Sequence, residues 1–101
     1  MTIAVNIDNQ FRQQILNGKK VSFTSMEQQA DVGDTFDAFG KQFMITEVYH
    51  SRLDHVAYCY FEEEGWWSPL RFMQDWNLNN PENRYLPQRM VYLHLFVAKK
   101  G

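Results

Sequence analysis

The stretch that most constrains this chain is Arg89 to Ala98, where Val91, Leu93, Leu95 and Val97 alternate with Met90, Tyr92 and Phe96. Successive side chains on a strand point to opposite faces, so this run is apolar on both. A strand of that kind belongs at the centre of a sheet, covered above and below. The remaining segments must supply its neighbours. Gln42 to His50 alternates with Phe43, Ile45 and Val48 apolar among polar residues and reads as a long strand. Thr35 to Phe39 reads as a shorter one, entered by the turn Val32-Gly33-Asp34 and joined to the long strand by a hairpin at Gly40-Lys41. Val21 to Thr24 supplies a fourth. It sets Val21 and Phe23 on one face, with Phe23 toward the core, and Ser22 and Thr24 on the other.

Three segments have helical spacing. Ile7, Phe11 and Ile15 recur at i and i+4 behind a cap at Asn6 or Asp8, and Gly18 ends that helix by taking the left-handed turn that releases the chain. Asp54 reads as the cap of a second helix whose apolar face is Val56, Ala57, Tyr60 and Phe61. Glu62, Glu63 and Glu64 near its end oppose the helix dipole, which suggests another use for at least one of them, and Gly65 supplies the stop. Ser68-Pro69 starts a third helix, with Phe72 and Trp76 on one side. Asn77 to Gln88, with two prolines and four asparagines, reads as a loop serving as a lid or a mobile edge. Strands and helices of this kind in 101 residues give one α+β domain spanning 1–101.

Charge and composition narrow the function. A net charge of -2 provides no global positive field for nucleic acid, so any RNA contact must be local. A strip drawn from Arg12, Lys19, Arg52, Arg84, Arg89, Lys99 and Lys100 would provide it. No stretch approaches the roughly 20 apolar residues that span a bilayer. Residues 1–5 lack the basic and apolar regions of a signal peptide, so a soluble, cytoplasmic protein is expected. Cys59 is alone and reads as a small buried hydrophobe. His50, His55 and His94 have no metal-ligand spacing, and neither a metal nor a cofactor is expected. Chemistry must then come from side chains. On a regular strand Lys20, Ser22 and Thr24 share a face, which makes a contact between lysine and hydroxyl geometrically open. Of Trp66 and Trp67, one is expected to pack near Phe72 and Trp76 and the other to stack on a base, with Arg71 available to a phosphate.

Five pieces of the chain, taken in order, carry a resemblance. They are Ile15-Leu16-Asn17-Gly18-Lys19-Lys20, Val32-Gly33-Asp34, Ile45-Thr46-Glu47-Val48, Glu64-Gly65-Trp66-Trp67-Ser68-Pro69 with Phe72 and Trp76, and Val91-Tyr92-Leu93-His94-Leu95-Phe96. Together they resemble the ASCH domain family. The resemblance implies a PUA-like fold, a small mixed β-barrel with flanking helices, and a cleft in which Lys20 and Glu64 face each other. It also implies binding of RNA or a modified nucleoside. A short single-domain branch, which this chain resembles in size, consists of amidohydrolases that remove acetate from N4-acetylcytidine. On that pattern Lys20 and Glu64 take the catalytic lysine and glutamate positions. The branch's threonine, three residues after the lysine, falls on Phe23, and the arginine that usually follows is Ser25. Hydroxyls flank the gap at Ser22 and Thr24, and a register led by Lys19 puts Ser22 at the nucleophile spacing. Two further readings stay open. One is an RNA-binding module without chemistry, with Lys19, Trp66, Trp67 and Arg71 as its contacts. The other is a protein-interaction domain on the same barrel, which would need an exposed apolar patch.

Overall fold

The computed structural model describes residues 1–99; Lys100, one member of the expected basic strip, lies outside the described residues. Four strands, β1 (Ser22–Ser25), β2 (Thr35–Ala38), β3 (Lys41–Arg52) and β4 (Met90–Ala98), form one antiparallel sheet in the order β1-β4-β3-β2. β4 is central, as its two apolar faces require. The sheet is curled into a half-barrel, with a register shift between Ile45 and Glu47 where β3 runs along β4. Inside the curl Phe36, Phe43 and Phe96 pack ring on ring, and Phe23 joins them, stacked on His94 at 4.4 Å. Phe23 is partly buried and packs against this core, so the position where the resemblance expects the threonine is filled by an aromatic ring. Val91 and Leu93 are also fully buried.

The β2–β3 hairpin turns on Phe39 and Gly40, both at positive φ (53° and 82°), the backbone that a tight two-residue turn demands. A bulky residue is costly there. Phe39 is held by packing against the core, with the Arg12 guanidinium 6.0 Å above its ring.

The helices differ from expectation at their ends. The first is a 3-10 turn, Asn9–Phe11, running into α1 (Arg12–Leu16). Asp8, not Asn6, caps it by accepting from the Gln10 N–H at 3.0 Å. Gly18 then releases the chain, and the Gln14 carbonyl accepts from both Lys19 and Lys20 N–H. α2 (Leu53–Cys59) follows β3 without a loop, so Arg52 is the cap position and Asp54 lies in the first turn, paired with the Arg52 guanidinium at 2.9 Å. This start buries Leu53 together with Val56 and Ala57, a gain that capping at Asp54 would forfeit. Cys59 is exposed, contrary to expectation, because it lies on the side of the helix away from those three residues. α3 (Pro69–Asn79) begins at Ser68, whose Oγ accepts from the Arg71 N–H at 3.2 Å. It runs further than the asparagines suggested, because Asn79 and Asn80 turn their side-chain amides back to the Asp75 and Trp76 carbonyls. The following loop is tied down, since Trp76 Nε1 donates to the Asn83 carbonyl at 2.7 Å and Tyr85 N–H to Asn77 at 2.7 Å. Among the described residues no helix is long and apolar enough to cross a membrane.

Candidate functional site

The turn after α2 doubles back on the start of β1. Val21 and Ser22 N–H both donate to the Glu63 carbonyl, at 2.7 and 3.1 Å, which sets Glu64 over Lys20 and Ser22. Gly65 makes the approach possible. Its φ is +96°, and a Cβ there would stand 2.7 Å from Gln14 Oε1 and 3.4 Å from Lys20 Cβ.

Lys20 is 5% exposed, and its ammonium donates to the main-chain carbonyl of Glu64 at 3.0 Å while lying 4.4 Å from the centre of the Phe11 ring. Burial lowers its pKa below the ordinary lysine value, against the raising pull of Glu64 and Asp75. The residues expected to face each other do meet, but not as an ion pair. Among the described residues no carboxylate oxygen lies within the 4.0 Å of a salt bridge to Lys20. The Glu64 carboxylate accepts instead from the hydroxyl of Ser22, which is fully buried. The two hydroxyl candidates are thereby separated. Ser22 is engaged with Glu64, whereas Thr24 lines an open cleft and its buried Oγ1 has no hydrogen-bond partner among the described residues. Neither hydroxyl is hydrogen-bonded to Lys20.

The cleft measures about 360 Å³. Phe11, Phe23, Trp66, Phe72 and Trp76 provide its aromatic walls, and Lys20, Thr24, Glu64, Asp8 and Asp75 its polar ones, with Asn6, Asn79 and Asn80 at the side. Asp75 is the member that sequence reasoning missed. It is half-buried on α3, accepts from Gln10 Nε2 at 3.4 Å, and has its pKa raised by burial, with Lys20 and Arg71 pulling the other way. The sign was its position between Phe72 and Trp76, an acid at the margin of the buried stripe.

The two tryptophans differ in burial. Trp66 is 8% exposed and meets Phe11 edge-on at 5.2 Å, so it packs against α1's side of the cleft that it shares with Phe72 and Trp76. Trp67 is 73% exposed. Arg71 holds its guanidinium 4.8 Å from the Trp66 ring and 5.7 Å from Trp67. Lys19 is exposed and does not line the cleft; it borders a shallow groove on the other side of Trp66, with Gln14, Glu62 and Trp67. The basic strip is not continuous. Arg52, Arg84 and Arg89 gather where β4 begins, with Arg89 Nε donating to the Arg84 carbonyl, while Lys99 sits beside Gln42 at the far end of the sheet. At strand spacing those ends are about 33 Å apart.

No family model matches the chain, and no curated protein does. Solved structures share its fold. The ASCH domain from Lactobacillus crispatus aligns over 96% of this chain and 77% of its own, with a TM-score of 0.66 at 15% identity. The hypothetical protein PH0355 aligns over 98% of this chain and 100% of its own, with a TM-score of 0.72 at 16% identity. A protein from Enterococcus faecalis, EF3133, aligns over 97% and 74%, with a TM-score of 0.68 at 13% identity. The architecture is thus PUA-like, a curled sheet with flanking helices. Within that class it is the fold of the ASCH domain.

Proposed function

We propose that the cleft between β1, the turn after α2 and α3 binds a nucleoside, either free and modified or within RNA. The observation that carries this is a buried lysine at an aromatic-walled cleft of about 360 Å³, a volume within the range of small-ligand sites. The base lies between aromatic faces, and Lys20, Thr24 and Glu64 meet its polar edge. In RNA, the flanking nucleotide runs over Trp66 into the shallow groove, where Trp67 offers an open ring and Arg71 and Lys19 offer positive charge.

A sharper reading, hydrolysis of the amide of N4-acetylcytidine, is favoured by the unpartnered Thr24 hydroxyl in the same cleft as a lysine with a lowered pKa. In that reaction Thr24 Oγ attacks the acetyl carbonyl and gives its proton to Lys20. The C–N bond breaks as Glu64 protonates the departing N4, and water then releases acetate from the acyl-enzyme. The test is release of cytidine from N4-acetylcytidine, with binding of cytidine and short RNA measured in parallel, for the wild type and Lys20→Ala, Glu64→Ala, Thr24→Val and Ser22→Ala. Turnover that survives Ser22→Ala and is lost in the other three supports the hydrolase with Thr24 as nucleophile. Binding without turnover leaves a binding module. Absence of both sinks the nucleoside reading and favours a protein partner on the same barrel.

A further inference from the structure

The charged groups of the cleft are mostly acids. Three carboxylates, Asp8, Glu64 and Asp75, line it with a single ammonium, Lys20. Most of these groups are already engaged. Asp8 caps the helix turn, Glu64 accepts from Ser22, and Lys20 donates to the Glu64 carbonyl against the Phe11 ring. Asp75 differs in its setting: Asp8 is exposed and the Glu64 carboxylate is bonded to Ser22, whereas Asp75 is half-buried and held only by a long 3.4 Å bond from Gln10 Nε2, with the Asn79 side chain close by. It also stands more than 4.0 Å from Lys20, so the two charges face one cleft without closing on each other. A half-buried carboxylate so weakly held beside aromatic walls is open to a donor that the ligand brings.

We propose that Asp75 determines specificity in this cleft by accepting a hydrogen bond from an exocyclic amine, so that the ligand is an amino-bearing nucleobase and its oxo counterpart is discriminated against. The proposal rests on the reading of the cleft as a nucleoside site. The chemistry is that by which an aspartate or glutamate reads N4 of cytosine. Lys20 supplies the complementary donor, and an amino-bearing base presents a ring acceptor next to its amine, matching an acceptor and a donor held apart across one cleft. An oxo group in the amine's place would set two acceptors against each other. Burial, which raises the pKa of Asp75, also strengthens its hydrogen bond to a neutral donor by keeping water away. A phosphate at this spot would meet three carboxylates, so the phosphates of an RNA ligand stay outside, on the Trp67 side.

The test is calorimetric binding of two matched pairs, cytidine with uridine and adenosine with inosine, to the wild type, Asp75→Asn and Asp75→Ser. The wild type is expected to bind the amino member of at least one pair about tenfold more tightly than its oxo partner. Asp75→Asn, whose amide turns its oxygen to an amine or its NH2 to an oxo group, is expected to bring that ratio close to one, and Asp75→Ser to do the same by shortening the side chain. Thermal unfolding of each variant checks that it is folded. Equal binding within both wild-type pairs, or a ratio unchanged in the two folded variants, overturns the role of Asp75 while leaving a nucleoside site. Absence of binding by every nucleoside overturns the site and the proposal together.

Discussion

Ser22 and Glu64 show how closely site and stability are joined at the level of single residues. The hydroxyl is the carboxyl group's hydrogen-bond partner in a fully buried setting, so Ser22→Ala removes a partner and leaves a buried acceptor unsatisfied. A loss of about 1–3 kcal/mol is expected, read from the urea midpoint, and a much smaller loss when Glu64→Gln is already present. Gly65→Ala meets two penalties at once, the positive φ and the 2.7 Å approach to Gln14 Oε1. It should lower stability by about 1–3 kcal/mol. Gly18 also has a positive φ but has open space around its Cβ position, so Gly18→Ala should cost less, and the two urea midpoints compared test whether crowding matters beyond φ. Lys20 carries a pH signature. Its pKa is lowered on folding, so between the folded value and about 10.4 the unfolded chain holds more protons and stability rises with pH. Lys20→Met should abolish that rise in urea midpoints followed through the alkaline range.

At the scale of elements, His94 fastens β4 and β1 to the connection that follows β1. Its Nε2 accepts from the Gln29 N–H at 3.0 Å and its Nδ1 pairs with the Phe23 carbonyl at 3.3 Å, which fixes a neutral ring with the proton on Nδ1. Burial lowers its pKa. This contribution to stability is therefore present above about pH 6.5 and is lost as the pH falls below it toward the folded value. Acidification should titrate the His94 ring late and speed amide exchange at Gln29, both followed by NMR. The elements themselves were largely legible. Two-faced β4, the alternation in β3 and the Ser68-Pro69 start of α3 are local patterns, and local patterns survive folding. What local patterns cannot show is who competes for an end. Asp54 is a good cap by type, yet burial of Leu53 sets the start of α2 two residues earlier. Asn79 and Asn80 look like loop residues until their amides return to the carbonyls of α3.

For the molecule as a whole, the site was legible only where the chain doubles back through named residues. Gly65 stood out as a stop signal beside three acids, and Lys20 and Glu64 as the pair that the resemblance sets face to face; the structure brings them together. Asp75 and the choice between Ser22 and Thr24 did not, because each depends on a neighbour more than 40 residues away in the sequence or on an opening no local pattern records. Charge is likewise a global property. With a net charge of -2 and the basic residues split between opposite ends, RNA would be held by local cations such as Lys19 and Arg71. Two phosphate contacts give a slope of about -1.4 in log affinity against log salt for a single strand. A titration much steeper than that would point to a longer RNA path than the groove beside Trp67. The pairing of Ser22 with Leu95 has a last consequence, in time and not in space. During translation Lys20 and Glu64 leave the ribosome before β4 exists, so a nascent chain holds the polar groups of the cleft without the strand that seats them. The cleft is finished only when β4 has emerged and β1 has docked on it, so its polar groups wait on the last of the four strands.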